Sequence, residues 1–218
     1  VEQVKEVVES DLISSDIFRR CEGMPLIDKY AVYQILADNW QGIMGDVEII
    51  QTEGFGACNV VEPKMKMVKD KNGVEQEVED GLKGRIIPFE LVQKILFQDD
   101  LDAIAALQSR IEAIGGELDA VSGELLGMDD TEKYFDAEKD NAFVKKEITA
   151  DSKPKADVDD DIKEQLKAIV ALWNEQSAKK KQVAKDKDAL EAKTIKTIEG
   201  LDMKGIQMFL ELKWILPI

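Results

Sequence analysis

Carboxylates and lysines are the only side chains this sequence holds in quantity for chemistry. It has no histidine and two cysteines, Cys21 and Cys58. Without histidine the commonest general base is gone, and with it any Ser-His-Asp or Cys-His arrangement. The cysteines lack CxxC spacing, so a zinc site or disulfide framework has too few ligands, and reduced thiols are expected. The chain has 45 Asp and Glu. No spacing among them sets a pair into one pocket, as carboxylate-based hydrolysis needs. Asp157-Val158-Asp159-Asp160-Asp161 matches the opening of a calcium loop. Ile162 then stands where that loop needs Gly, and Ala168 where it needs Glu. The run reads instead as the acidic start of a helix, favoured by the helix dipole. Gly54-Phe55-Gly56 is a weak phosphate-cradle match with no helix expected behind it. Lys179-Lys180-Lys181, with Lys185, Lys187, Lys193 and Lys196, makes a basic stretch whose chemistry is phosphate contact. Asp186, Asp188 and Glu191 interleave with it and weaken its field. A solvated helix face is the competing reading, and Lys179, Lys180 and Lys181 stand as candidate DNA contacts.

The elements that would carry these residues are mostly helices. Ile104, Leu107, Ile111, Ile114, Leu118, Val121 and Leu125 recur at alternating gaps of three and four. That is the a/d seam of a helix lying along another helix. Pro88 suits the first turn of this helix, and Phe89, Val92, Ile95 and Leu96 precede the seam, so one long helix is expected over 88–126. Gly115, Gly116 and Gly123 weaken it and suggest a bend or close helix contact, and Gly127 caps it. A second seam runs Ile162, Leu166, Ile169, Trp173, Gln176, Lys180, Val183, Lys187, Leu190. Its second half is polar, expected to be a solvated tip or a surface with its own partner. Two such helices predict an antiparallel pair.

Around them the reading is coarser. Residues 1–20 are helical, with a break expected at Ser14-Ser15-Asp16. Cys21–Pro25 is a turn, followed by a helix from Pro25 that ends near Gly42, with Gly45 closing the turn. Asp46–Gln51 alternates and reads as a short strand. Asn72-Gly73 signals a hairpin between Met65–Lys69 and Val74–Val78, expected to pack on that strand. Residues 128–158 are acidic, with Tyr134, Phe135, Phe143, Val144 and Ile148 docking as short turns and the rest a mobile connection. The chain turns at Gly200, and Ile206, Phe209, Leu210 and Trp214 form a last apolar stripe. The division is 1–87, a helical and small-sheet region; 88–126, a long helix; 127–158, an acidic connection; and 159–218, a second long helix with a C-terminal element. The fold class is mainly α with a small β hairpin, its two long heptad helices forming an antiparallel pair or arm.

A hydrophobic fraction of 44% supports a core, and a net charge of −16 argues against nucleic-acid binding by the surface as a whole. No run approaches the roughly 18 apolar residues of a membrane helix, and no signal-peptide pattern opens the chain. Val1-Glu2-Gln3 lacks an initiating Met and the other end stops in an apolar run, so a fragment of a longer protein is expected.

Several landmarks follow one another in a familiar order. Pro25-Leu26-Ile27-Asp28-Lys29-Tyr30-Ala31-Val32-Tyr33-Gln34 leads to Trp40, Met44, Asp46 and Val47–Ile50, closing at Gly54-Phe55. Lys83-Gly84-Arg85-Ile86-Ile87-Pro88 enters a long helix. The chain ends Leu210-Glu211-Leu212-Lys213-Trp214-Ile215-Leu216-Pro217-Ile218. This series resembles the C-terminal part of the modification (M) subunit of type I restriction-modification systems, which are DNA adenine-N6 methyltransferases. It departs from the family at Gly45-Asp46, where two acidic residues are expected, and at Phe55, usually Trp. The resemblance implies a parent with a Rossmann-like catalytic domain upstream of Val1. It also implies a cytoplasmic complex with the specificity (S) subunit, with the restriction (R) subunit as a further partner, and with DNA. S-adenosylmethionine belongs to the parent. This chain lacks the family's Asn/Asp-Pro-Pro-Tyr/Phe motif, so it is expected to bind no cofactor and transfer no methyl group. The expected partner interface is Ile104, Leu107, Ile111, Ile114, Leu118, Val121 and Leu125, with Ile169 and Trp173, an aromatic anchor. Self-association through exposed helices is a further expectation. The alternative reading is an independent coiled-coil scaffold or adaptor.

Overall fold

The computed structural model describes residues 6–20, 22, 28–70, 73, 75–139 and 142–215. Helices α1 (Glu6–Arg20) and α2 (Lys29–Glu53) lead through a 3-10 turn, Phe55–Asn59, to an antiparallel hairpin of β1 (Val61–Lys69) and β2 (Glu75–Gly84). Then come α3 (Phe89–Leu96), α4 (Gln98–Leu126), the two-residue strands β3 (Phe135–Asp136) and β4 (Ala142–Phe143), α5 (Lys145–Asp151), α6 (Asp160–Glu199) and α7 (Met203–Trp214). The architecture is mainly helical with a small antiparallel sheet and long helices, as the sequence predicts. By contacts the chain forms two units, 1–98 with 190–218, and 99–189. This grouping cuts across the four stretches read from the sequence, because α6 contributes its last ten residues to the first unit.

The first unit has a core of Ile50, Ala57, Cys58, Ile86, Ile87, Phe89, Val92, Ile198, Ile206, Phe209 and Leu210. Asp28 starts α2 by accepting a hydrogen bond from the Tyr30 N–H at 2.9 Å. The helix then runs past Gly42 and Gly45 to Glu53, so the expected helix end and the strand at 46–51 are both replaced by helix. The reason is register. Ile43, Asp46, Val47 and Ile50 lie three and four apart, and the face they form is half-buried to buried. A strand reading counts Asp46 as a solvent position, yet it is 7% exposed. Gly54 ends the helix at φ 81°, its N–H donating to the Ile50 carbonyl. With no strand at 46–51, the two strands of the hairpin pair, among the described residues, with each other alone, and they lie largely exposed. Gly73 takes φ 80° at its turn; Asn72 and Val74 lie outside the described residues. So does most of the turn expected at Cys21–Pro25. Helix α1 is continuous through Ser14-Ser15-Asp16 because Asp16 pairs with Arg19 and Arg20 one turn on.

The expected helix over 88–126 is interrupted. Pro88 stands as the N-cap of α3, and Phe97, at φ −131° and ψ 34°, separates α3 from α4. Phe97 packs on the first core, and Asp99 and Asp100 then supply the acidic first turn of α4. Asn59 closes the C-terminus of α6, its side chain donating to the carbonyls of Ile198 and Leu201 at 2.7 and 3.0 Å.

In the second unit α4 and α6 run antiparallel, since Arg110 meets Glu175 while Glu124 meets Gln165. Ile104, Ile114 and Leu125 of α4 are buried, as are Ile162, Leu166 and Ile169 of α6. No atom outside the local helix lies within 4 Å of a Cβ built on Gly115, Gly116 or Gly123, so the expected close helix contact is not there. The polar half of the α6 seam is not a tip. Lys180 and Val183 lie beside Gln108 and Ile111 of α4. Within 128–158, the residues expected to dock include Tyr134, Phe135, Ile148 and partly buried Phe143, and these fold over the opposite end of the pair and join Leu125, Ile162, Leu166 and Ile169 in a second core. Thr131 holds it to α4, donating to the Leu125 carbonyl at 2.8 Å. The Tyr134 hydroxyl donates to Asp151 at 2.9 Å.

Candidate functional site

Two places concentrate chemistry. The first is a polar knot inside the first unit. Asp46, on the buried face of α2, accepts from Lys213 Nζ at 2.5 Å and from Trp214 Nε1 at 2.9 Å. Lys213 Nζ also donates to the Ile86 carbonyl at 2.7 Å. The local reasons are plain. Asp202 caps α7 by accepting from the Gly205 N–H, which sets the helix register, and Ile206, Phe209 and Leu210 bury one stripe. Lys213 and Trp214 follow at the end of that stripe. Ile86 and Ile87 are held by the core, with the Arg85 N–H bonded to the Val60 carbonyl at 2.9 Å. The knot ties together residues 127 and 167 positions apart in sequence. Cys58 is fully buried nearby. Burial, aided by the Asp46 charge and offset by Lys213, pushes its thiol up to about 11. It is therefore an inert core thiol at neutral pH.

The second place is the α4–α6 pair. The Arg110 guanidinium forks onto Glu175 at 2.9 Å from both Nε and Nη2, and also pairs with Glu117. Those hydrogen bonds raise the Arg110 pKa and hold the Glu175 carboxyl below its usual range. Of the seam residues, Ile104, Ile114, Leu125 and Ile169 are buried within the chain, while Leu107, Ile111, Leu118, Val121 and Trp173 are half-buried. The two seams cover each other, so Ile104, Ile114, Leu125 and Ile169, expected in a partner interface, are closed off within the chain. Lys179 reaches Glu175 at 3.6 Å, Lys180 donates to Gln176 at 3.1 Å, and Lys181 is exposed. Asp159 accepts from the Asp161 N–H and starts α6, as the helix-start reading requires. Among the described residues no cluster of three His, Cys, Asp or Glu is placed to hold a metal ion. No helix among them is long and apolar enough to cross a membrane.

Sequence reasoning picked out Asp46 and Lys213-Trp214 as landmarks but not as partners. One signal was present, an acidic residue on the apolar face of a helix, which needs a partner when buried. Lys145 beside Trp173 had no sequence signal, because their approach depends on how α5 docks. Comparison of the chain with models of protein families, with curated proteins and with solved structures gives no match in any of the three.

Proposed function

We propose that this chain is the C-terminal, non-catalytic part of the M subunit of a type I restriction-modification DNA adenine-N6 methyltransferase. In this reading it mediates assembly with the S subunit and helps enclose DNA. The observation that supports it is the knot. Asp46, Ile86 and Lys213-Trp214 come from three separate landmarks of the resemblance, and they meet in one hydrogen-bonded cluster. The landmarks therefore share one structural role, closing the core of the first unit. The Pro25-Leu26-Ile27 part of the first landmark lies outside the described residues. The methyl donor and the methyl transfer belong to the parent's catalytic domain, and the R subunit joins the assembled enzyme.

The interface in this reading uses the partly exposed edges of Leu107, Ile111, Leu118, Val121 and Trp173, of which Leu118, Val121 and Trp173 also pack against the second core. Apolar area buried there would contribute about 25 cal/mol per Å² before association costs. The test is the solution mass by light scattering, for the chain alone and mixed with an S subunit of such a system. A discrete mixed complex, weakened by Trp173→Ala or by Leu118→Asp, is the expected result. A folded chain that keeps its own mass beside the S subunit removes the reading and leaves an independent helical scaffold.

A further inference from the structure

On one face of α6 the surface changes sign. A cavity of about 430 Å³ there has Lys145, Trp173, Gln176, Ser177, Lys180 and Lys181 in its lining. No carboxylate lines it, in a chain with a net charge of −16. Lys145 opens α5 and holds its Nζ 5.4 Å from the centroid of the Trp173 ring. Phe143 meets that indole edge-on, with centroids 5.8 Å apart, and so fixes its position. Lys145, Lys180 and Lys181 are exposed and form no ion pair among the described residues. Lys179 behaves differently, being turned to Glu175. Glu112 shares Lys180 but lines the adjoining cavity with Ile111 and Val183.

Three ammonium groups around one hollow, none of them ion-paired to a described residue, repel each other, and an anion relieves that repulsion. Lysines bind phosphate as point charges. An indole offers a π-face on which any nucleobase can stack. Gln176 and Ser177 add donors and acceptors for a sugar or base edge. The volume falls within the roughly 300–1,000 Å³ of small-ligand sites. We propose that this cavity binds a nucleotide, with phosphate on Lys145, Lys180 and Lys181 and the base against Trp173. The nucleotide is either free or one unit of a single strand. The inference stands on these side chains and not on the assembly reading, so either can fail alone.

The test uses the full chain and fluorescence anisotropy with two probes, a fluorescent ADP analogue and a fluorescein-labelled oligothymidylate. Saturable binding is expected to at least one, and which one identifies the source. Lys180→Glu with Lys181→Glu should weaken it at least tenfold and flatten its salt dependence. Lys167→Glu with Lys204→Glu, the same change of charge at exposed lysines outside the lining, should leave it within about twofold. Trp173→Phe keeps an aromatic face and should cost less than Trp173→Leu. Circular dichroism confirms that each variant is folded, and the lysine variants, being exposed, keep the test decisive if Trp173→Leu is not. Absence of binding to both probes at millimolar concentration overturns the proposal. So does binding indifferent to Lys180 and Lys181. Inorganic triphosphate that displaces the probe as well as ATP, with Trp173→Leu silent, overturns the nucleotide assignment in favour of a bare anion patch.

Discussion

Replacing Asp46 by Asn tests whether the knot holds the first unit together. The carboxylate is nearly buried and accepts from an ammonium and an indole N–H, at 2.5 and 2.9 Å. Hydrogen bonds to charged groups are worth about 1.5–3 kcal/mol, and losing one partner leaves the other underpaired. Asn keeps the volume and one acceptor oxygen but loses the charge, so about 2 kcal/mol is the expected cost. At about 1.4 kcal/mol per tenfold, the opening equilibrium rises roughly 30-fold. Lys213→Met removes the cation and leaves Asp46 facing Trp214 alone, at a similar cost. The assay is built into the core. Cys58 is fully buried, its thiol pushed up to about 11, so a thiol reagent at pH 8 reacts only through opening. In the open form the thiol has its ordinary pKa, so the rate reports the opening equilibrium alone. With Cys21→Ser as background, each single variant should label Cys58 roughly 30-fold faster. The double variant should be little faster than either, with a coupling of about 1.5 kcal/mol. Costs that add within about 0.5 kcal/mol would show that Asp46 and Lys213 do not act on each other and would sink the argument.

Further outcomes follow from local geometry. A Cβ on Gly84 would lie 2.0 Å from the Ile87 carbonyl oxygen, so the backbone must move; Gly84→Ala should cost about 3 kcal/mol in urea unfolding. Gly42, inside α2, has nothing within 4 Å of such a Cβ, and Gly42→Ala should stabilise by about 1 kcal/mol in the same assay. Arg110 holds the Glu175 carboxyl below its usual range. A carboxylate depressed in the folded state contributes stability above its unfolded pKa of about 4.3, lost as pH falls through the lower folded value. Arg110→Gln should therefore remove part of the acid limb of thermal stability between neutral pH and pH 3, with its largest effect at the neutral end.

How much of this was legible in the sequence depended on how local each cause is. The α6 seam, the Ile206–Leu210 stripe after the turn at Gly200, and a hairpin before Arg85 are written in short-range spacing, and they appear where the spacing puts them. The 46–51 error has a local side, the helical spacing of Ile43, Asp46, Val47 and Ile50 that the alternation masked, and a non-local one. Asp46 reads as a solvent residue until Lys213 and Trp214 arrive beside it, and those partners lie at the far end of the chain. In the 131–151 segment the docking residues Tyr134, Phe135 and Ile148 were legible against the acidic background, but not where they dock, because the apolar end at Leu125, Ile162 and Leu166 exists only once α4 and α6 have paired. The basic cavity was half legible, with Lys180, Lys181 and Trp173 noted one by one and Lys145 supplied only by the docking of α5.

The seams carry the sharper lesson about function. Alternating gaps of three and four state that a helix will be covered; they do not state by what. Ile104–Leu125 reads equally well as a surface awaiting another subunit and as one half of an internal pair. The internal partner has a strong advantage, because two helices joined by one chain meet at an effective concentration that a separate subunit rarely matches. Once Ile114 and Ile169 are buried in that pair, neither can anchor another subunit unless the pair opens. An assembly partner must therefore read the rim of the pair and not its seam. That places the informative substitutions at Leu118 and Trp173, because loss of binding in Ile114→Ala would report only a damaged pair.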